Sequence, residues 1–121
     1  MPSQVRMKRI NDRIKEDLSE ILIKEIADPR LNGVYITDVN VDRELTFANI
    51  YVSAVEGKSR SKEIIDGLNH AKSFLRRNLA ERIQLRIFPQ LRFFWDPTPE
   101  KADHIERLLS QIREESGSKQ E

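Results

Sequence analysis

The sequence predicts an α+β fold in which a three-stranded sheet carries its helices on one face. Three segments alternate apolar and polar residues with the period of a strand, and three others repeat apolar residues every three or four positions, as helices do. The expected order is helix, strand, strand, helix, strand, helix. A sheet this small is covered on one face only, so the other face is expected to meet solvent or a partner.

A helix is expected over residues 4–27 at the start of the chain. One side of it is apolar at spacings of three and four residues, while charged side chains fill the opposite side. The apolar side consists of Ile10, Ile14, Leu18, Ile21, Leu22 and Ile26. Pro29 ends the helix, because a proline ring disfavours helical geometry at the residue before it.

Two strands follow, over residues 34–42 and 46–54, and a short polar turn joins them into a hairpin. Within the first strand the alternation slips by one residue. A β-bulge produces such a slip, because it inserts an extra residue into one strand of a pair. We therefore expect a bulge near Thr37 and Asp38.

The second half of the chain predicts another helix and another strand. The helix covers residues 60–82, and two weak helix formers inside it, Gly67 and Ser73, predict a bend or a break. The strand covers residues 85–95. Because Pro89 has no N–H to donate, the strand is expected to lie at an edge or to be bulged there.

A last helix is expected to begin at Pro99, its first helical residue, with Thr98 as the cap before it. Five apolar side chains are expected to face the core, namely Ala102, Ile105, Leu108, Leu109 and Ile112. The chain then divides into one domain, residues 1–113, and a polar tail, residues 114–121, which we expect to be disordered.

The composition is typical of a soluble protein, with 38% hydrophobic and 34% charged residues in a chain of 121. It contains no cysteine, which rules out disulfides and thiolate metal sites. No apolar run approaches the roughly 20 residues of a membrane span, and the start, MPSQVRMKRI, lacks the apolar stretch of a signal peptide. We expect a cytoplasmic monomer with no cofactor, no small-molecule substrate and no membrane partner.

Positive charge is concentrated in residues 57–95, which hold nine basic and three acidic side chains although the net charge of the chain is only +1. Such asymmetry suggests a polyanion as partner, because lysine and arginine neutralise phosphates and release counterions. A merely solvated basic surface is the alternative. The predicted phosphate contacts are Arg6, Lys8, Arg9 and Arg13 in the first helix, Lys72, Arg76 and Arg77 in the second, and Arg86 and Arg92 on one face of the third strand.

No catalytic or metal-binding set is evident in the sequence. His70 and His104 are the only histidines, nothing ties a serine to a histidine and a carboxylate, and no phosphate-binding glycine motif occurs. Glu100 and His104 have the spacing of two metal ligands on one helix side, but two ligands do not make a site. A solvated ion pair or a helix cap is the simpler interpretation.

The element order fits a KH-like domain, but the four glycines are too far apart for the G-x-x-G loop with which ordinary KH domains clamp nucleic acid. The aromatic run at residues 93–95 could stack on bases. We expect Phe93 and Trp95 in the core and leave both interpretations open for Phe94.

Three stretches of the chain resemble ribosome-binding factor A, over residues 3 to about 112. They are RMKRINDRIKEDLSEIL, then DPRLNGVYITDVNVDREL running into TFANIYVSAVE, and LRRNLAERIQLRIFPQLRFFWDPTPEKADHIERLL. The resemblance implies a type II KH-like fold with two helices joined by a kink. It also implies a non-catalytic factor that binds free 30S small ribosomal subunits, supports 16S rRNA maturation near the 5′ terminal helix and contributes to cold adaptation.

The resemblance further implies an interhelical kink of the form Ala-x-Gly in place of the G-x-x-G loop. The matching residues are Ala71, Lys72 and Ser73. Serine stands where the family has glycine and adopts a left-handed turn at greater cost, so a gentle bend in a continuous helix is the alternative to a sharp kink.

The leading hypothesis is a placeholder that grips ribosomal RNA and shifts the immature RNA toward one arrangement. Two other classes compete with it. One is a protein–protein adaptor whose basic surface meets an acidic protein, and the other is a hydrolase or nuclease on a small α+β fold.

Overall fold

The computed structural model describes residues 3–119 of the chain, and the side chains of residues 3–114. The six main elements are α1 Gln4–Lys24, β1 Val34–Val41, β2 Phe47–Ala54, α2 Ser61–Arg82, β3 Gln90–Trp95 and α3 Thr98–Lys119. Short 3₁₀ turns at Pro29–Leu31 and Lys58–Arg60 precede β1 and α2. The predicted element order and fold class are confirmed. Within the described residues no helix is both long and apolar enough to cross a membrane.

The sheet has β2 in its middle, antiparallel to β1 and parallel to β3. Parallel neighbours require a crossover connection, which α2 supplies. The register of β1 against β2 slips between Ile36 and Asp38. This confirms the predicted bulge at Thr37. In a regular strand, residues three positions apart point to opposite faces, and the bulge explains why Ile36 and Val39 are nevertheless both buried.

Asp42 holds the hairpin turn between β1 and β2. Its Oδ1 accepts a hydrogen bond from the backbone N–H of Phe47 at 2.7 Å, and its carbonyl oxygen accepts one from the N–H of Leu45 at 2.9 Å. The bond from Phe47 is the main reason that the pKa of the Asp42 carboxyl lies below its usual range. Leu45 takes the left-handed conformation that closes the turn, with φ of 59°.

The core lies between the inner face of the sheet and the two helices α1 and α2. Its fully buried side chains are Ile14, Leu18 and Ile21 of α1, Ile64, Leu68, Leu75 and Leu79 of α2, and Ile50, Val52 and Leu91 of the sheet. The apolar stripes predicted for the first two helices therefore face the sheet.

The apolar side of α3 does not face the core, so that prediction is wrong. Its exposed fractions are 56% for Ile105, 45% for Leu108 and for Leu109, and 58% for Ile112. Ala102 is exposed as well. The inner face of the sheet is already covered by α1 and α2, and α3 finds no apolar surface there.

The helix α3 also continues to Lys119, past the domain boundary expected at residue 113. The expected disordered tail is therefore helical in its backbone as far as residue 119, and residues 120–121 lie outside the described part. At its start, the side chain of Asp96 accepts a hydrogen bond from the N–H of Thr98 at 2.9 Å. The helix begins at Thr98 itself, one residue earlier than predicted.

The third strand is shorter than predicted, because it begins at Gln90 and not at residue 85. Residues 83–89 form an irregular connection from α2. Pro89 stands directly before the strand, which fits its lack of an N–H for the ladder. Phe88 and Pro89 are both buried, so the connection crosses the edge of the core.

Candidate RNA interface

The basic side chains of α1 lie on different sides of the helix. Arg6, Arg9 and Arg13 are spaced by three and four residues, so they share one side, and all three are exposed. Lys8 lies elsewhere around the helix, with its Nζ 3.1 Å from Oδ2 of Asp12. The three arginines therefore form one surface, and Lys8 does not belong to it.

Arg13 connects this surface to the end of α2. Its Nη2 donates to the carbonyl oxygen of Arg82 at 3.2 Å, and its Nε donates to Oδ2 of Asp17 at 3.1 Å. Arg82 reaches back toward α1, where its Nη2 lies 3.1 Å from Oε1 of Glu25. A cation at the last carbonyls of a helix is favourable because the dipoles leave negative charge there. Arg13 thus lies beside the C-terminal end of α2.

Arg76 is engaged within the protein. Its Nε donates to the carbonyl oxygen of Pro89 at 3.1 Å, and its Nη2 donates to that of Phe88 at 2.6 Å. The side chain is partly buried. It satisfies two main-chain acceptors immediately before β3, which fixes how the chain enters the sheet. Sequence could not reveal this role, because both acceptors are backbone atoms.

Lys72 and Arg77 complete the basic residues predicted on α2, and neither has a hydrogen bond or ion pair among the described residues. Lys72 lies one turn before Arg76 on the same side and is partly buried. Arg77 is exposed and lies opposite the buried stripe of α2, just as Arg9 lies opposite that of α1. Arg9 and Arg77 therefore both project from the outer side of the helical layer.

Arg86 and Arg92 do not share a strand face, contrary to the prediction. Arg86 is exposed in the connection before β3, whereas Arg92 lies in β3 on the outer face of the sheet. There the Nε of Arg92 donates to Oδ1 of Asn49 at 2.9 Å, and its guanidinium carbon lies 3.8 Å from the ring centre of Phe47. Arg92 thus lies on the opposite side of the sheet from the helices.

The aromatic run at residues 93–95 alternates along β3. Phe93 is buried and Trp95 packs against the core, as expected, while Phe94 is 41% exposed on the outer face. Phe94 stacks on Tyr51 of β2, with ring centres 5.5 Å apart and planes inclined by 29°. Sequence alone could not pair these two rings, because the pairing depends on the register of β2 against β3.

Asp96 connects the bulge in β1 to the start of α3. The Thr37 hydroxyl donates to Oδ2 of Asp96 at 2.6 Å, and this bond is the largest cause of a pKa of the Asp96 carboxyl below its usual range. In the first turn of α3, Oε1 of Glu100 accepts a hydrogen bond from the indole Nε1 of Trp95 at 3.3 Å. Glu100 therefore has a structural partner, and the described residues include no group of three or more metal-ligating side chains.

The family model of ribosome-binding factor A matches residues 6–109 of the chain. The ribosome-binding factor A of Finegoldia magna is 38% identical over 113 residues, covering 92% of this chain and 93% of that protein. The chain belongs to the ribosome-binding factor A family.

Solved structures of the family share the fold. The crystal structure of ribosome-binding factor A from Thermus thermophilus matches with a TM-score of 0.67 at 24% identity, over 74% of this chain and 93% of that one. A homology model of the Thermus thermophilus factor, fitted into the cryo-electron-microscopy map of a 30S complex, matches with a TM-score of 0.58 at 25% identity. That match covers 69% of this chain and 87% of the other.

This family member lacks the interhelical break that the resemblance implies. The helix α2 runs without interruption from Ser61 to Arg82, through Ala71, Lys72 and Ser73. Among the described non-glycine residues only Leu45 has a positive φ. Serine continues a helix at lower cost than glycine, so Ser73 favours the continuous helix.

Proposed function

We propose that this protein binds free 30S small ribosomal subunits and supports maturation of their 16S rRNA near the 5′ terminal helix. It does so in the cytoplasm as a monomer and catalyses no reaction. Membership of the ribosome-binding factor A family over residues 6–109 carries this proposal. The fitted complex of a related factor with the 30S subunit supports the same partner for this chain.

The RNA-binding domain in this proposal is residues 1–113, and its main contacts come from the outer side of the helical layer. Arg6, Arg9 and Arg77 are exposed there and have no acidic partner among the described residues, so their charges are available to phosphates. Arg13 extends this surface along α1, and Lys72 and Arg86 are further proposed contacts. Lys8 contributes less, because Asp12 already neutralises it. Arg76 has two backbone partners, so we assign its main effect to folding.

The mechanism requires only differential binding. A protein that binds one arrangement of immature rRNA more tightly than the others raises the population of that arrangement by the ratio of the affinities. While bound, it also occupies a surface that a joining large subunit would need. No covalent bond is made or broken in this mechanism. Arginine side chains suit it, because they bind phosphates by charge and hydrogen bonds.

Co-sedimentation with separated ribosomal particles, across a salt series, tests the proposal. We expect the protein to move with free small subunits and not with large subunits or joined ribosomes. Binding should weaken steeply as salt rises, because each phosphate contact releases counterions. The double variant Arg9→Glu with Arg77→Glu should lose association by at least about tenfold.

A matched control reverses the same number of charges elsewhere. The double variant Arg43→Glu with Arg107→Glu changes two exposed arginines, one in the hairpin turn and one in α3, and should bind like the wild type. Equal binding by both double variants would contradict the assignment of the helical surface. Association that survives digestion of the rRNA would contradict RNA binding and favour a protein–protein adaptor.

A further inference from the structure

The outer face of the sheet carries aromatic and cationic side chains, and it is separate from the basic surface of α1 and α2. We call this surface the outer platform, and it consists of Phe47, Asn49, Tyr51, Arg92 and Phe94. The strand register places Asn49 opposite Arg92 and Tyr51 opposite Phe94. Alternate residues of a strand point to the same face, so the five side chains lie together, opposite the side of the sheet that α1 and α2 cover.

Arg92 is held in position on the outer platform. Its Nε bonds to Asn49, and its guanidinium lies over the ring of Phe47. An arginine has five N–H donors. Of the five donors of Arg92, only the Nε–H has a hydrogen-bond partner among the described residues. The remaining donors face solvent from an ordered position, so a phosphate would bind them with little further loss of side-chain entropy.

The two stacked rings supply an apolar surface beside this cation. Phe94 is 41% exposed, and Tyr51 and Phe94 form a stacked pair. From Phe47 to Tyr51 the strand advances four residues, which is about 13 Å. That length accommodates about two nucleotides of an extended strand, with one base on the stacked rings and another near Arg92.

The charges on this face favour one side of the outer platform for the phosphates of a bound strand. Asp38, which is exposed, is the β1 neighbour of Tyr51, whereas Arg92 lies in the edge strand β3. A phosphate backbone would be repelled on the β1 side and attracted on the β3 side. The outer platform therefore complements a polyanion that runs along β3 with its bases directed toward β2.

We propose that the outer platform binds unpaired RNA bases by stacking on Tyr51 and Phe94, with Arg92 contacting a phosphate. Bases in a duplex already stack on both neighbours, so only unpaired bases expose a ring face to an aromatic side chain. This deepens the proposed function and rests on it for the identity of the RNA. The protein would contact rRNA on two opposite sides, through phosphates at the helical layer and through bases at the sheet.

Fluorescence anisotropy with a short uridine-rich single-stranded RNA, and with the same RNA annealed to its complement, tests this proposal. Once the helical surface is neutralised by Arg9→Glu with Arg77→Glu, the protein should bind the single strand more tightly than the duplex. In that background Phe94→Ala should weaken single-strand binding by about tenfold, the order expected for the loss of one stacked base. Phe94→Leu, which keeps most of the apolar bulk, should weaken binding similarly.

Phe74→Ala is the matched control. Phe74 is 38% exposed, close to the value for Phe94, but it lies on α2. It should leave single-strand binding unchanged. Thermal unfolding of each variant verifies that the domain is folded before binding is measured.

Equal single-strand binding by the two Phe94 variants and the Phe74 control would overturn the proposal, as would equal affinity for single strand and duplex. Loss of 30S association by the Phe94 variants with unchanged oligonucleotide binding would also overturn it, since the partner of the outer platform would then be a protein. Failure of the wild type to sediment with 30S subunits overturns the proposed function alone, because the oligonucleotide assay contains no ribosome.

Discussion

The helices α2 and α3 have the same length of 22 residues and the same type of apolar stripe, yet only one of them is packed. In α2 the stripe residues Ile64, Leu68, Leu75 and Leu79 are completely buried. In α3 the corresponding side chains are between 45% and 58% exposed. The difference shows that an apolar period identifies one side of a helix but not whether the fold provides a surface for it.

The width of the sheet explains the difference. Three strands about 4.8 Å apart make a sheet roughly 14 Å wide, and two helices about 10 Å in diameter are sufficient to cover it. Both α1 and α2 precede α3 in the sequence and pack on the inner face of the sheet. Only two residues connect β3 to α3, and the inner face next to them is occupied by α1 and α2.

Matched leucine truncations test this comparison most directly. Leu75→Ala in α2 should lower the free energy of unfolding by about 3 kcal/mol, because it opens a cavity in a filled core. Leu109→Ala in α3 should change it by less than about 0.5 kcal/mol, because that residue is 45% exposed and lies outside the core. Urea unfolding of both variants provides the measurement. A similar cost for the two would mean that α3 is packed in solution.

The role of Arg76 provides the next largest expected effect. Arg76→Ala should lower the free energy of unfolding by about 2 kcal/mol, since it leaves two carbonyl groups before β3 without their charged donor. Arg107→Ala, an exposed arginine of α3, serves as the control and should have almost no effect. The same urea titrations compare the two variants. Equal free energies of unfolding would contradict the stabilising role of Arg76.

The pH dependence of stability tests how α3 is attached. The hydrogen bonds of Asp96 hold its pKa below the ordinary value of 3.8, so this group stabilises the folded state above that pH. The contribution is lost as pH falls through the lower folded-state pKa. Asp96→Asn should therefore be less stable than the wild type at neutral pH, with a gap that narrows below 3.8. A gap that stays constant in acid would contradict this linkage.

Local patterns predicted the features that depend on neighbouring residues. The bulge at Thr37 followed from a slip in alternation, because the period of a strand is two and any inserted residue must disturb it. The burial of Phe93 followed from the same alternation. The hairpin also needed no knowledge of distant contacts, whereas the first helix ends at Lys24, three residues before the predicted end at residue 27.

The candidate site depended on contacts between elements, and the sequence predicted it less well. Periodicity gives the angle of a residue around its own helix but not what faces it, so Arg76 and Arg77 appeared equivalent although only Arg76 has internal partners. Similarly, Arg86 and Arg92 seemed to share a face because the strand was expected to begin at residue 85. The late start of β3 assigns them to different surfaces.

The parallel pairing of β2 with β3 also has a consequence for how the chain folds. The β1–β2 hairpin closes a turn of a few residues, whereas β3 joins β2 only after α2 and the connection that follows it have been made. Closing that long loop costs chain entropy before any contact repays it. The edge of β2 that pairs with β3 therefore stays unpaired until Gln90–Trp95 is available to the folding chain. Until then, the sheet has an exposed edge at β2 whose backbone N–H and C=O groups lack their partners.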